Sequence, residues 1–413
     1  MKDIIFNFLK KIDKPEFKLF LNLFSNLPKI KFAVIKISGK ALEDHLELIA
    51  EDIAFLNKLD IYPIIVHGCG STLDKRLPES EKIDGIRITK KEDMKVIQSS
   101  FKEIADSLKE NIIEKGGKAE IVEDLFYCEQ LEQYGFVGKI KKIKLSKIKS
   151  LIDLNITPII SPLGDSSVGK LNINADNVAK ELVKIIEPKK FIFITKTSGI
   201  LDSKGKLIPF LNLSGNVFEN ITGGMLLKVK EIKDFLSSGV DYEVVITNPK
   251  NLIKELFTIK GGGTYIKYHT INQTSDVNSI DKEKVKWTLE DAFDKTLVED
   301  YFENGIKEVF YEKEYEGVAI INEINGMPYL DKFAVAKSYQ GTGLGKSLWD
   351  RVIKEYPKLI WRSSADNSIN TFYTKLCDGV IKNCEWNFYW KNLSNNEIMS
   401  TIDLVIKKKK TLI

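Results

Sequence analysis

The chain is 413 residues long, and at roughly 100 to 200 residues per domain that length calls for two or three domains, each able to bury its own core. Hydrophobic residues make up 43% and charged residues 29%, with 11 prolines, which excludes a disordered or collagen-like chain. The 62 lysines and arginines nearly balance 58 acidic residues, so bulk charge gives no reason to bind nucleic acid or a membrane, and a small molecule is the expected partner. Four scattered cysteines (Cys69, Cys128, Cys377, Cys384) lack the paired spacings of a zinc site and form no disulfide framework. No apolar run approaches the roughly 18 residues of a membrane span, and charges interrupt the apolar residues of MKDIIFNFLKKIDKPEFK, unlike a secretory signal. The expected compartment is the cytoplasm.

Four arginines (Arg76, Arg87, Arg351, Arg362) stand among 58 lysines. Where lysine serves for most positive charges, an arginine marks either a planar grip on a carboxylate or an ordinary surface position.

In chain order, residues 1–27 stand apart. Ile4, Phe8, Leu9 and Ile12, then Phe17, Phe20, Leu21 and Phe24, repeat at helical spacing on either side of Pro15, predicting a divided apolar helical arm that packs within the chain or at a subunit interface. Over 28–271, β-branched runs (KFAVIKIS, IYPIIVHG, TPIISPLG, KKFIFITK, YEVVITN) alternate with helix-like stretches such as HLELIAEDIAFLNKL and VKEIKDFLSSG. This predicts an α/β fold with a mainly parallel central sheet covered on both faces. The polar stretch 272–284 reads as a linker, because all five tryptophans follow it. Over 285–413, a hairpin signal turning at Asn325-Gly326, a Gly-rich loop and the helix GLGKSLWDRVIKEY predict an α+β domain. The basic run at 407–410 is expected to be solvated.

Several loops carry candidate chemistry. Lys36 lies at the end of a strand, with Ser38-Gly39 in the turn to a helix, where backbone N–H groups can approach phosphate oxygens. A second strand ends in VHGCGS, placing Gly68, Cys69 and Gly70 in the equivalent loop, outside the carboxyl ends of parallel strands where ligands bind. NINAD sets Asn172, Asn174 and Asp176 before a helix, as a capping cluster or as site residues, and Gly223-Gly224 precede a helix carrying Lys228. Lys36 and Lys228 can supply cations at both ends of a transferring phosphoryl group, with Asp176 orienting them. Neither a Walker loop nor the protein-kinase GxGxxG is present.

The ordered set KISG, VHGCG, DGIRIT, NINAD, ITKTSGI and GGMLLKV resembles the amino-acid kinase family and, within it, the acetylglutamate kinases. The resemblance implies that Lys36 and Lys228 stabilise the phosphoryl group and Asp176 holds them. It further implies that Arg87 and Asn172, with Gly68 and Cys69, bind an N-acetylglutamate acceptor, and that Gly39 meets ATP, used with Mg²⁺. Ser38 and Cys69 stand where that family usually has glycine. Cys69 costs acceptor affinity if its position requires positive φ. His67 is read as a structural group without chemistry.

In the second domain, Gln340-Gly341-Thr342-Gly343-Leu344-Gly345 opens a helix; its N–H groups form a pyrophosphate cradle or a simple turn. The loop resembles the Q/R-x-x-G-x-G/A motif of the GCN5-related acetyltransferases. LIWRSSADNSINTFYTKLCDG, YLDKFAV and EWNFYW resemble the acetyltransferase domain of vertebrate-like N-acetylglutamate synthases. That resemblance implies acetyl-CoA on the six loop residues, Lys332 and Arg362 on the carboxylates of L-glutamate, Asn367 and Asn370 positioning it, and Tyr373 beside the thioester. With an ordinary pKa of ~10, Tyr373 suits a general acid for the departing thiolate; a core aromatic is the alternative.

The two halves together resemble the bifunctional N-acetylglutamate synthase/kinase family of bacteria. That implies acetyl transfer to the α-amine of L-glutamate, then phosphorylation of N-acetylglutamate by ATP, as steps of arginine biosynthesis. It also implies a homotetramer and an L-arginine effector near Gly261-Gly262-Gly263-Thr264. Two alternatives are an acetyltransferase whose kinase-like domain is an inactive, arginine-binding scaffold, and a kinase with a regulatory acetyltransferase-like domain. Lys36, Asp176 and Lys228 argue against the first; Arg362, Asn367 and Tyr373 argue against the second.

Overall fold

The computed structural model of the chain describes residues 27–83, 86–213, 223–236, 243–258, 262–303 and 305–413, with the side chains of 223–225, 227 and 228 outside the description. The arm expected at 1–27 therefore falls almost wholly outside the described residues. The chain divides into two compact units, the second made up of Tyr268–Ile413 and the short segment Asn212–Asn216.

In the first unit the β-branched runs form an eight-stranded sheet. Its strands are β1 (Ala33–Ile37), β2 (Ile64–His67), β3 (Ala119–Val122), β4 (Thr157–Ile160), β5 (Lys190–Ile194), β6 (Phe210–Asn212), β7 (Glu243–Thr247) and β8 (Thr264–Lys267), in the order β6-β8-β7-β5-β1-β2-β4-β3. From β7 to β3 the neighbours pair in parallel, and β8 joins β7 antiparallel. Every residue of β1, β2, β5 and β7 is buried, as expected of central strands covered on both faces, where hydrophobic runs replace alternation. Helices α1 (Gly39–Lys58), α2 (Gly70–Arg76), α3 (Met94–Glu114), α4 (Ala175–Ile186) and α5 (Gly223–Leu236) connect and cover these strands. A smaller four-stranded sheet contains Phe126–Gln130, Gly138–Ile143, Leu163–Ser166 and Gly169–Asn172. Its last strand delivers Asn172 to the start of α4.

The second unit is a seven-stranded sheet with helices. Its strands are β9 (Ile271–Thr274), β10 (Glu308–Glu312), β11 (Gly317–Ile324), β12 (Met327–Val335), β13 (Leu359–Ser364), β14 (Gly379–Lys382) and β15 (Trp386–Lys391), in the order β9-β10-β11-β12-β13-β15-β14. β9 occupies residues expected in the linker: it pairs antiparallel with β10 as an edge strand. The polar composition of INQT suits an edge, which is only half covered. Asn325 and Gly326 both have positive φ and join β11 to β12 through a two-residue turn, as the Asn-Gly pair predicts. The helices are α6 (Lys282–Phe293), α7 (Leu344–Glu355), α8 (Asn370–Leu376) and α9 (Asn395–Lys407).

One pairing in this sheet makes the site. β12 and β13 run parallel, yet register only Tyr329 with Ile360 and Leu330 with Trp361. Beyond that point the strands are no longer paired, so Asp331–Val335 and Arg362–Ser364 flank an opening instead of a ladder. An aromatic cluster floors it: Trp361 stacks on Tyr389 at 5.5 Å and meets Tyr373 edge-on at 5.6 Å and Trp349 at 5.1 Å. Such pairs add ~0.5–1.5 kcal/mol each beyond the area they bury, giving the opening a rigid base.

Candidate active sites

The first site lies at the carboxyl ends of β1 and β2, where the N-termini of α1, α2 and α4 converge. Ser38 caps α1, its Oγ accepting from Ala41 N at 3.3 Å, while Gly68 N donates to Ile37 O at 2.8 Å. The two loops touch: a Cβ on Gly39 would lie 2.9 Å from Cys69 Cα and 3.0 Å from Gly68 O. Gly39 is required by this close approach of backbones. Cys69 itself has φ −130°, a conformation open to any residue, so the expected penalty for a side chain there does not arise from backbone geometry. Its thiol is buried, and burial pushes its pKa up to about 12, so it stays protonated.

Lys36 is buried and its Nζ lies 2.8 Å from Asp176 Oδ1. NINAD combines both readings of its sequence: Asn174 is the N-cap of α4, accepting from Asp176 N at 2.8 Å, and that cap holds Asp176 toward Lys36. Asn172 Nδ2 donates to Thr89 Oγ1 at 3.2 Å, and Thr89 Oγ1 donates to Arg87 O at 3.2 Å. Thr89 thus ties Asn172 to Arg87, two expected acceptor ligands. The buried Arg87 guanidinium pairs with Asp74 and Ser80 Oγ, so its fork is held at a carboxylate. Arg76 likewise grips both oxygens of Glu103, at 3.0 and 2.6 Å. Lys228 lies on α5, with its side chain outside the described residues. His67 is fully buried, 2.8 Å from Ser161 Oγ, with burial lowering its pKa to about 4; it is a neutral structural group. Of the loop expected to meet arginine, Gly261 lies outside the described residues, and the N–H groups of Gly262 and Gly263 both donate to Glu255.

The second site occupies the wedge between β12 and β13. A groove of 390 Å³ is lined by Gln340, Gly341, Gly343, Gly345 and Lys346, with Phe333 and Asn367 at its end. Gly341 and Gly343 have φ of 78° and 80°, a region that favours glycine, and Gly343 is the N-cap of α7. The first-turn N–H groups of that helix lack partners within it, the chemistry by which a helix N-terminus can receive an anion. Thr342 and Leu344 are fully buried, so their share in such a site is limited to the main chain.

A second cavity of 370 Å³ is lined by Lys332, Arg362, Asn367 and Tyr373, and shares Phe333 and Asn367 with the groove. Lys332 Nζ donates to Asp331 Oδ2 at 2.6 Å and to Thr411 Oγ1 at 2.7 Å; burial lowers its pKa. Burial alone would raise Asp331, but Lys332, Lys408 and the Tyr301 hydroxyl outweigh it and hold the carboxyl below its usual value. Tyr373 is buried in the aromatic floor yet reaches the cavity wall. Burial raises its pKa well above 10, so the hydroxyl stays protonated and able to donate. Asn370 has a different place: Nδ2 donates to Ser364 O at 2.9 Å and Ala365 O at 3.1 Å, and Oδ1 accepts from Ser363 Oγ. Its amide holds the turn that presents Asn367.

Along the run at 407–410, Lys407, Lys409 and Lys410 are exposed, as expected of a solvated face, and Lys408 is partly covered; the run nevertheless borders the cavity. Lys408 Nζ sits 5.3 Å over the Tyr329 ring, Lys410 Nζ lies 2.6 Å from Glu385, and Lys409, Lys410, Thr411 and Leu412 line the cavity. Sequence reasoning missed them because a run of lysines reads as a solvated face when nothing marks what it crosses. Asp331, adjacent to Lys332, carried a readable signal; Thr411 carried none.

Residues 31–248 match the family model for the Amino acid kinase family, and residues 271–409 match that for NAT, the N-acetyltransferase of N-acetylglutamate synthase. An acetylglutamate kinase of Xanthomonas campestris pv. campestris is 35% identical over 92% of this chain and 95% of its own length. The mitochondrial N-acetylglutamate synthase of Mus musculus is 27% identical over 91% of this chain and 72% of its own. The structure of N-acetylglutamate synthase from Neisseria gonorrhoeae, complexed with coenzyme A and L-arginine, superposes with a TM-score of 0.67 over 92% of this chain and 98% of that one, at 17% identity; that likeness is one of fold. Among the described residues, no helix is long and apolar enough to cross a membrane. With more than half its length matched by one model and a full-length relative above 30% identity, the chain belongs to the amino acid kinase family, in a fusion with an acetyltransferase domain of the N-acetylglutamate synthase type.

Proposed function

We propose that this chain makes N-acetylglutamate from acetyl-CoA and L-glutamate in its second unit, and phosphorylates N-acetylglutamate with ATP in its first, as early steps of arginine biosynthesis. The observation that carries this is the coexistence of two distinct constellations. One is the Lys36–Asp176 pair at three converging helix N-termini; the other is a Gly-lined groove meeting a cationic cavity at Phe333 and Asn367.

In the acetyltransferase, the main chain from Gln340 to Gly345 holds the coenzyme A pyrophosphate. Lys332 and Arg362 face the glutamate carboxylates, Asn367 positions the amine and Tyr373 protonates the departing thiolate. In the kinase, Gly39 and the helix N-termini receive the phosphates, Lys36 and Lys228 balance the charge of the moving phosphoryl group, and Asp176 orients Lys36. Arg87, Asn172, Gly68 and Cys69 take the acceptor. Mg²⁺ would be carried mainly on the nucleotide phosphates.

The reading extends to a cytoplasmic homotetramer assembled with help from the arm at 1–27, and to L-arginine as an effector. It extends also to a kinase domain from residue 28 to about the unit boundary at Lys267, followed by the acetyltransferase domain. Two parallel assays on the purified protein test the function: coenzyme A release from acetyl-CoA plus L-glutamate, and ADP release from ATP plus N-acetylglutamate. Absence of either release removes the corresponding activity.

A further inference from the structure

Two of the cations lining the acceptor cavity, Lys332 and Arg362, are bonded to one segment of chain. Arg362 donates from Nη1 to Val405 O at 2.8 Å and Ile406 O at 3.1 Å, and from Nη2 to Lys408 O at 2.6 Å. Lys332 donates to Thr411 Oγ1 at 2.7 Å. The segment is itself pinned: Thr296 and Ile413 exchange main-chain hydrogen bonds at 2.9 and 3.0 Å, Val298 N donates to Thr411 O at 3.1 Å, and Leu412 packs beside the core that contains Leu297.

Its charge matters as much as its position. Five lysine or arginine side chains and three carboxylates line the cavity, a balance of two positive charges that equals the charge of a dicarboxylate whose amine is neutral for attack. Lys409 and Lys410 provide two of those five cations; without them the lining is neutral. Lys410 faces Glu385, whereas Lys409 lines the cavity with no carboxylate partner among the described residues. Thr411 acts differently. A lysine ammonium has three protons; the Asp331 carboxylate takes one and Thr411 a second, and Asp331 O lies at a longer 3.4 Å. Because the threonine hydroxyl is a neutral acceptor, it aims the ammonium without cancelling its charge.

We propose that Lys408–Leu412 is a specificity strap of the acyl-acceptor pocket. Thr411 is a positioning residue for Lys332, and Lys409 supplies a cation that selects acceptors carrying a second carboxylate. The proposal rests on the acetyltransferase reading and deepens it.

Steady-state coenzyme A release by the full chain, with L-glutamate and L-glutamine as rival acceptors, tests it. Thr411→Val is expected to raise the KM for glutamate roughly tenfold, the scale of one hydrogen bond to a charged group, with the KM for acetyl-CoA unchanged and Thr411→Ser restoring the wild-type value. Lys409→Met is expected to lower the preference for glutamate over glutamine roughly tenfold, on the same scale. Wild-type KM and preference in both variants would overturn the strap. Should Thr411→Val lose its thermal transition, Lys409→Met decides. A wild type that releases no coenzyme A instead refutes acetyl transfer. Calorimetric binding of L-glutamate then decides the strap, weaker binding by Lys409→Met supporting it and equal affinity overturning it.

Discussion

Lys36 Nζ and Asp176 Oδ1 lie 2.8 Å apart, although one lies near the end of the first strand of the sheet and the other begins a helix that follows the fourth. The pair fixes a mostly buried cation at the meeting point of three helix N-termini, where it can balance phosphate charge without being free to swing away.

Removing that cation is expected to lower kinase turnover by about 10²-fold or more in Lys36→Ala, since a preorganised charge acts more strongly in a site that excludes water. Asp176→Asn, which keeps the size but loses the charge that orients Lys36, is expected to fall in the same direction. ADP release checks both, with coenzyme A release nearly unchanged as the control. Full kinase turnover in Lys36→Ala would refute the assignment.

Arg362→Lys is expected to act twice. A lysine cannot bridge the carbonyls of Val405, Ile406 and Lys408, so thermal or urea unfolding should report a loss of about 1–3 kcal/mol. The KM for glutamate should rise as well, because a lysine cannot hold those carbonyls and still offer the N–H groups that the guanidinium keeps in reserve for a carboxylate. An unchanged KM places Arg362 outside substrate contact and leaves it the structural role alone.

Gly343→Val puts a β-branched residue at φ 80°, at a cost of about 1–3 kcal/mol, and sets a side chain over the N-terminus of α7. The expected outcome is a higher KM for acetyl-CoA with that for glutamate little altered. Equal acetyl-CoA affinity in calorimetry would show that the loop is a turn and no cradle.

The pH dependence of stability carries a signature of His67. Its pKa is lowered by burial to about 4, against about 6.5 unfolded, so its contribution is complete above pH 6.5 and is lost as pH falls toward 4. Between pH 6.5 and 5 this amounts to about 2 kcal/mol. Asp52, raised to about 7 chiefly by burial, contributes with the opposite sign, gaining stability as pH falls below 7. Comparing wild type with His67→Gln isolates the first effect: the variant should lose less stability on acidification across this window. Parallel slopes would contradict a neutral buried His67.

The α/β alternation, the parallel central strands and the Asn325-Gly326 turn were legible in the sequence because each depends on neighbouring residues: β-branched runs covered on both faces, and two positive-φ positions in a row. The Gly-rich loop of the second unit was legible for the same reason, since its geometry is set by the residues that form it. What only the tertiary structure decided is which distant groups meet. INQT reads as a linker by composition, yet β10 gives it a partner, and the amide of Asn370 meets Ser363, Ser364 and Ala365. Lys409 and Lys410 are exposed, as the run of lysines predicts, but only the end of pairing between β12 and β13 shows that they border a cavity. Polar and charged side chains have many acceptable partners, water included, and local pattern does not choose among them; that choice falls to the fold, which alone sets which of those partners lies within 3 Å.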